Sequence, residues 1–186
     1  IAQTPQICLV TVDTAINKNV VVWEKNLYPA ASYNIYKETS LNVFDSIGNI
    51  PYSSLSIFTD YASDPTTKST RYKISGVDSL GNKSPLSNAN KTMHLTVNIG
   101  INNEMMIIWE WYEGIYDSVF YIFRSASPSY QMALIDSVPS SITSYSDWSY
   151  PPADSLCYLI AVHITGGCTP TSPPTFFEYS FSNVSC

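Results

Sequence analysis

The chain has 186 residues, 13% of them aromatic and only 13% charged, and a formal net charge of −6. Few charges and many Tyr, Ser and Thr favour strands over helices, and the acidic balance argues against a nucleic-acid partner, which calls for a clustered basic face. No uninterrupted apolar run, Met105 to Trp109 among them, approaches the roughly 20 residues of a membrane-crossing helix, so no membrane insertion is expected.

In chain order, Cys8 to Val12 reads as a first strand and Asp13 to Asn19 as a polar turn. Val20 to Glu24 is the second strand, with Val21 and Trp23 on one face at a spacing of two. A loop over Asn26 to Ala31 leads to a third strand, Tyr33 to Lys37, whose Tyr33 and Ile35 point inward. Ser46 to Ile50 and Ser56 to Thr59 give short fourth and fifth strands, and Asp60 to Ser69 is another polar connection. Arg71 to Asn88 reads as a closing hairpin: Tyr72, Ile74 and Gly76 alternate with Lys73, Ser75 and Val77, and Asp78, Gly81 and Asn82 supply the turn. Its return strand opens at Ser84-Pro85 and ends at Ser87-Asn88.

The second half repeats this order. Val21-x-Trp23-Glu24 returns as Ile107-x-Trp109-Glu110, Tyr33-x-Ile35-x-Lys37 as Phe120-x-Ile122-x-Arg124, and Phe58-x-Asp60 as Tyr145-x-Asp147, at offsets of 86 and 87 residues. Tyr72 to Val77 matches either Cys157 to Val162 or the same segment shifted by one residue, and Ser87-Asn88 returns as Ser182-Asn183. The tyrosine-led strand, polar turn and Ser-Pro-Leu-Ser-Asn return resemble the last two strands of a fibronectin type III domain. The form is the one common in secreted and cell-surface bacterial proteins of the type IX secretion group. The expected fold class is therefore all-β: two tandem seven-stranded immunoglobulin-like (fibronectin type III) β-sandwiches, residues 1–92 and 93–186, the second with a long last hairpin over Thr165 to Thr175.

Chemistry-bearing constellations are sparse. No G-x-S-x-G elbow is present, and His94 and His163 are expected on surface or edge positions. Glu24 and Glu110 occupy the same strand position in the two repeats, as structural or solvated residues would. No catalytic residue and no cofactor is expected. Cys157, His163 and Cys168 give three soft ligands without a fourth, so a disulfide between Cys157 and Cys168 is the better reading, because a strand followed by a hairpin brings the two back together. Cys8 and Cys186 are expected at opposite ends of a two-domain rod.

Six of the nine aspartates precede Ser or Thr and then an aliphatic residue, placing Thr14, Ser46, Ser79, Ser118, Ser137 and Ser155 in one pattern. Asp and Ser start turns and an apolar residue then opens a strand, which accounts for most of these places. The pattern also looks like the O-glycosylation signal of the bacterial group named above, which would make the chain a glycoprotein. Trp111, Tyr112 and Tyr116 crowd the loop between the second and third strands of the second half, and Trp148 and Tyr150 follow its fifth. In a seven-stranded sandwich that loop and the last hairpin face the preceding domain, so junction packing stands beside ligand binding as a role for these aromatics.

The resemblance implies a non-catalytic module pair, secreted or at the cell surface, serving as spacer, adhesion or protein-interaction segment of a larger protein. Its partners would be flanking domains of the same polypeptide and a cell-surface protein or glycan. The alternative is a carbohydrate-binding accessory module of a secreted hydrolase.

Overall fold

The computed structural model describes residues 3–25, 30–125, 131–150, 156–170 and 176–186, and over these the chain is all β. In the first half, β1 (Ile7–Asp13), β2 (Lys18–Trp23) and β5 (Ile57–Asp60) form a sheet in the order β1-β2-β5. Facing it are β3 (Ser32–Ser40), β4 (Val43–Pro51), β6 (Arg71–Val77) and β7 (Asn90–Lys91), in the order β4-β3-β6-β7. The second half repeats both sheets strand for strand. β8 (Leu95–Ile99), β9 (Met105–Trp109) and β12 (Ser144–Asp147) make the order β8-β9-β12. Opposite them, β10 (Val119–Ser125), β11 (Ala133–Pro139), β13 (Cys157–Cys168) and β14 (Phe177–Phe181) make β11-β10-β13-β14. All named pairings are antiparallel. Each half is thus a three-on-four sandwich, the fold class that the resemblance implies.

Large side chains at alternating positions build the two interiors. Trp23 on β2 meets Tyr33 on the opposite sheet edge-to-face at 5.5 Å, and the repeat places Trp109 against Phe120 at the same 5.5 Å. Beside each tryptophan pair lies a buried polar triad that explains the conserved spacing inside the repeat. In the first half Tyr72 donates to Asp60 Oδ2 (2.8 Å), which Lys37 Nζ also reaches (2.7 Å). In the second, Tyr158 donates to Asp147 Oδ2 (2.9 Å) and Arg124 Nη1 does the same (2.6 Å). The equivalence of Tyr72 with Tyr158 selects the shifted alignment of the sixth strand, so that Tyr72–Val77 matches Tyr158–His163.

The last strand of the first half is less regular than expected. Only Asn90–Lys91 pairs with β6 as a ladder, and the stretch from Ser84 to Ser87 uses hydroxyls instead. Ser84 N–H donates to Gly76 C=O while Gly76 N–H donates to Ser84 Oγ, and Ser87 makes the same reciprocal pair with Ile74. Pro85 has no N–H to give to a ladder, and a serine side chain offers the missing acceptor. Ser182 repeats the arrangement with Ile160 in the second half. This is the physical content of the recurring Ser-Asn return.

The triad of the second half carries a pH dependence. Burial alone would raise the Asp147 carboxyl, but hydrogen bonds from Arg124, the Ser149 N–H and Tyr158 outweigh it and hold the group below its ordinary value. With the folded pKa depressed, this stabilisation is complete above the ordinary carboxylate range near pH ~4 and is lost as pH falls through the lowered folded value. Asp147→Asn should cost roughly 3 kcal/mol at neutral pH, since Arg124 loses its partner, and should flatten the acid limb of a melting-temperature-versus-pH series. An unaltered acid limb would show that this carboxylate does not contribute to it.

Candidate functional site

The feature that distinguishes the two halves is what lies against the three-stranded sheet of the first. On β1 and β2, Val10, Val21 and Trp23 face the sandwich interior, which leaves Leu9, Thr11, Val20 and Val22 on the outer face by alternation and register. These four are nevertheless buried, at 0%, 5%, 7% and 0% exposure. Thr11 and Val20 border one cleft with Phe177, Tyr179 and Phe181 of β14. Hence the unbroken apolar run Val20-Val21-Val22-Trp23, the pattern of a strand covered on both faces rather than one.

β1 is an edge strand, and its free backbone groups are met by side chains of the second half. Val10 N–H donates to Tyr112 Oη (3.2 Å), and Ser180 Oγ donates to Val10 C=O (2.6 Å). Phe181 N–H, on the open side of β14, donates to Thr11 Oγ1 (2.9 Å). An exposed edge would leave such groups free to pair with another chain. Tyr112 is buried, and burial pushes its hydroxyl up to about 12. Its ring is set by Tyr116 edge-to-face at 5.4 Å, which stacks in turn on Phe120 at 6.1 Å. Gly114 lies close beneath: a Cβ there would stand 2.7 Å from both Tyr112 Cε1 and Asn90 Nδ2.

The link between the halves is held from both sides. Lys91 pairs with Arg71 of β6 and also forms a reciprocal bridge with Glu113, with N···O distances of 2.9 and 3.3 Å. Arg71 Nε donates to Glu113 Oε2 (2.9 Å) while its Nη1 reaches Glu38 Oε1 (3.0 Å). Glu110 accepts from Ser69 Oγ (2.7 Å) and lies 3.6 Å from Lys91 Nζ, and His94 Nδ1 contacts Pro65 C=O at 2.9 Å. Half-exposed pairs of this kind are worth about 0–1 kcal/mol each, so their effect is on orientation more than on stability. Glu110 thus has a use at the junction, whereas its repeat partner Glu24 is exposed.

The disulfides correct the expected pairing. Cys8 is bonded to Cys168 and Cys157 to Cys186, with Cα–Cα distances of 5.9 and 4.0 Å. Cys157 and Cys168 cannot pair because they are the first and last residues of one strand, β13, which at about 3.3 Å per residue sets them on the order of 30 Å apart. Gly166 and Gly167, at φ of +82° and +65°, bend that strand near its end. The expected rod is corrected as well. Cys168 reaches the start of β1, and Thr14, Ala15 and Asn17 beyond its other end border a cleft with Leu159, Val184 and Cys186. β1 therefore flanks the second half instead of standing beyond one end of it. Across a sequence separation of 160 residues, the Cys8–Cys168 bond restricts the unfolded chain by about 5 kcal/mol in the chain-entropy model. Cys186 comes to Cys157 because the tail runs back along β13, with Tyr158 and Ser185 exchanging both backbone hydrogen bonds.

The remaining candidate residues fall as follows. Of the five aromatics, Tyr112 hydrogen-bonds across the junction. Trp111 is 52% exposed, its indole N–H donating to Ser140 C=O, and Trp148 is 64% exposed. Tyr150 donates to Asn103 C=O within its own half. Thr14, Ser46, Ser79, Ser118 and Ser137 are all exposed, and Ser155 lies outside the described residues. His163 bonds Asp117 at 2.6 Å, and Asp117 also accepts from Thr165, contacts that hold its carboxyl below the usual range. With Cys157 and Cys168 in separate disulfides, the three soft ligands noted in the sequence do not assemble. Ser180 and Thr11 had no motif to mark them; the one signal available was the apolar run of β2.

No protein-family model matches the chain, and no curated protein matches it. Among solved structures it is similar to the FN1–FN3 domains of chicken CNTN1, at 12% identity and a TM-score of 0.34 over 98% of this chain and 67% of that one. At that TM-score the likeness carries no argument, and the fold rests on the strand order described above.

Two measurements test the junction. Peptide mapping of unreduced protein should yield Cys8–Cys168 and Cys157–Cys186 cross-linked pairs; a Cys157–Cys168 pair would overturn the assignment. Tyr112→Phe removes the acceptor of the buried Val10 N–H and should cost about 1–3 kcal/mol in denaturant unfolding, with faster amide exchange at Val10. A variant as stable as the parent would mean the contact is not made in solution.

Proposed function

We propose that the chain is a non-catalytic, extracytoplasmic pair of fibronectin type III-like modules, residues 1–92 and 93–186, that acts as a rigid spacer, adhesion or protein-interaction segment of a larger secreted or surface protein. The observation that carries this reading is the satisfaction of the β1 edge by Tyr112 and Ser180 together with the Cys8–Cys168 clamp. Two modules so joined transmit a fixed orientation instead of swinging on a linker. Two disulfides suit an oxidising compartment. Exposed hydroxyls at Thr14, Ser46, Ser79, Ser118 and Ser137 are sterically open to O-glycosylation of the type IX secretion group's kind. Small-angle scattering should fit one compact particle, and a curve that requires a broad set of inter-module orientations would remove the rigid-spacer reading.

A second reading, the carbohydrate-binding accessory module, is favoured by the exposure of Trp111 and Trp148, whose ring faces could stack on sugars. Glycan-array binding abolished by Trp111→Ala and Trp148→Ala would select it over the spacer role.

A further inference from the structure

Where the outer face of β1, β2 and β5 meets β14, the two halves leave a cleft of about 350 Å³. Its two walls differ in chemistry. On the β14 side, Phe177, Tyr179 and Phe181 are successive positions on the face away from Ser180. The Tyr179 and Phe181 rings lie 6.3 Å apart and only 28° from parallel, and steep contacts with His163 at 5.3 Å and Tyr121 at 6.0 Å steady Tyr179. The opposite wall is polar. Thr11 and Thr59 stand in one outward cross-strand row through β2, and Asp13 borders the cleft at the end of β1. Thr11 is 5% exposed, and its Oγ1 accepts from Phe181 N–H, but among the described residues nothing accepts its own O–H. Asp13 Oδ1 accepts from Ala15 N–H, while no described group donates to Oδ2.

We propose that this cleft binds a neutral saccharide unit, its C–H face against Tyr179 and Phe181 and its hydroxyls turned toward Asp13, Thr11 and Thr59. A carboxylate oxygen, and hydroxyls that both donate and accept, match the hydroxyls of a sugar. An alkyl chain would leave them unpaired. Asp13 and the net charge of −6 oppose an anion. Rings so nearly parallel make a wall for a flat ligand to lie against, not a cage that encloses an ammonium group. The volume is at the low end for ligand pockets, which favour junctions between domains, and suits a mono- or disaccharide. The walls are set before a ligand arrives, because the Thr11–Phe181 hydrogen bond and the Cys8–Cys168 bond hold β1 against the second half. So small and open a site binds weakly, with a dissociation constant of about 1 mM. The ligand class is that of the accessory-module reading, but the residues are not, so a site here and one at Trp111 and Trp148 can fail separately.

NMR titration of the full chain with the methyl glycosides of glucose, galactose, mannose and N-acetylglucosamine, and with disaccharides of these sugars, tests this. At least one should shift the aromatic signals of Tyr179 and Phe181 saturably in the millimolar range, a readout that needs no variant. Tyr179→Leu, which stays apolar but loses the ring, should weaken that binding about tenfold, whereas Tyr179→Phe should bind as the parent does. Asp13→Asn should weaken it about threefold, since the amide oxygen still accepts but carries no charge. Trp111→Ala and Trp148→Ala should leave it unchanged, and melting curves establish that each variant folds. The proposal is overturned by the absence of any saturable shift up to tens of millimolar sugar, or by binding that survives Tyr179→Leu. Binding abolished by Trp111→Ala would instead select the accessory-module site. Shifts at Tyr179 and Phe181 produced by choline or hexanoate and by none of the sugars would likewise overturn it.

Discussion

The arrangement of this protein depends on one unpaired strand edge. β1 has a neighbour on one side only, and at Val10 its backbone donor and acceptor point away from the sheet. Left in water these groups would be satisfied but open to any passing strand; left buried without partners each would cost about 1–3 kcal/mol. The second half resolves this with side chains rather than with a strand. Tyr112 and Ser180 take the two groups of Val10, and Thr11 returns the favour to Phe181 N–H on the open edge of β14. Two sheet edges are thereby capped at once without merging into one continuous sheet, and each half keeps its own strand order.

Everything else at the junction follows from bringing those edges together. The outer face of β1 and β2 comes under β14, which accounts for valines on both sides of β2. The two glycines near the end of β13 carry Cys168 to Cys8. Lys91 is bonded to both halves, so the link adds direction instead of slack. None of these contacts places a nucleophile, a base and an orienting group together. What the geometry supplies is a fixed relative position of the two halves.

The repeats show which parts of such a sandwich are constrained and which are free to diverge. Inside each half, a tryptophan against an aromatic ring and a Tyr–Asp–cation triad recur at the same strand positions, because a buried carboxylate needs its donors in place. Outside, the same sheet face is buried against a neighbour in one half and exposed in the other. The interior pattern was legible from spacing in part: Lys37 and Asp60 recur as Arg124 and Asp147, whereas the match of Tyr72 was open between two registers until the hydrogen bond of Tyr158 to Asp147 selected one. The junction was legible only in part. Position in the strand order points the loop holding Tyr112 toward the first half, but it does the same for Trp111, which the structure leaves at the surface. Ser180 looks like any strand serine.

The cysteines mark the boundary most clearly. Alternation, turn residues and an internal repeat are local properties, so the sequence by itself determined two sandwiches of short strands and such interior residues as Val21, Trp23, Tyr33 and Ile35, but not where the last strand of the first half pairs. Disulfide partners are set by where strands end in space. The strand beginning at Cys157 runs on through Cys168, which no local pattern reveals, and its two ends then meet different parts of the chain. Only the tertiary structure could decide that Cys168 bonds to Cys8 and Cys157 to Cys186. The same holds for the covering of β1, since burial of an outer sheet face depends on how two finished sandwiches pack.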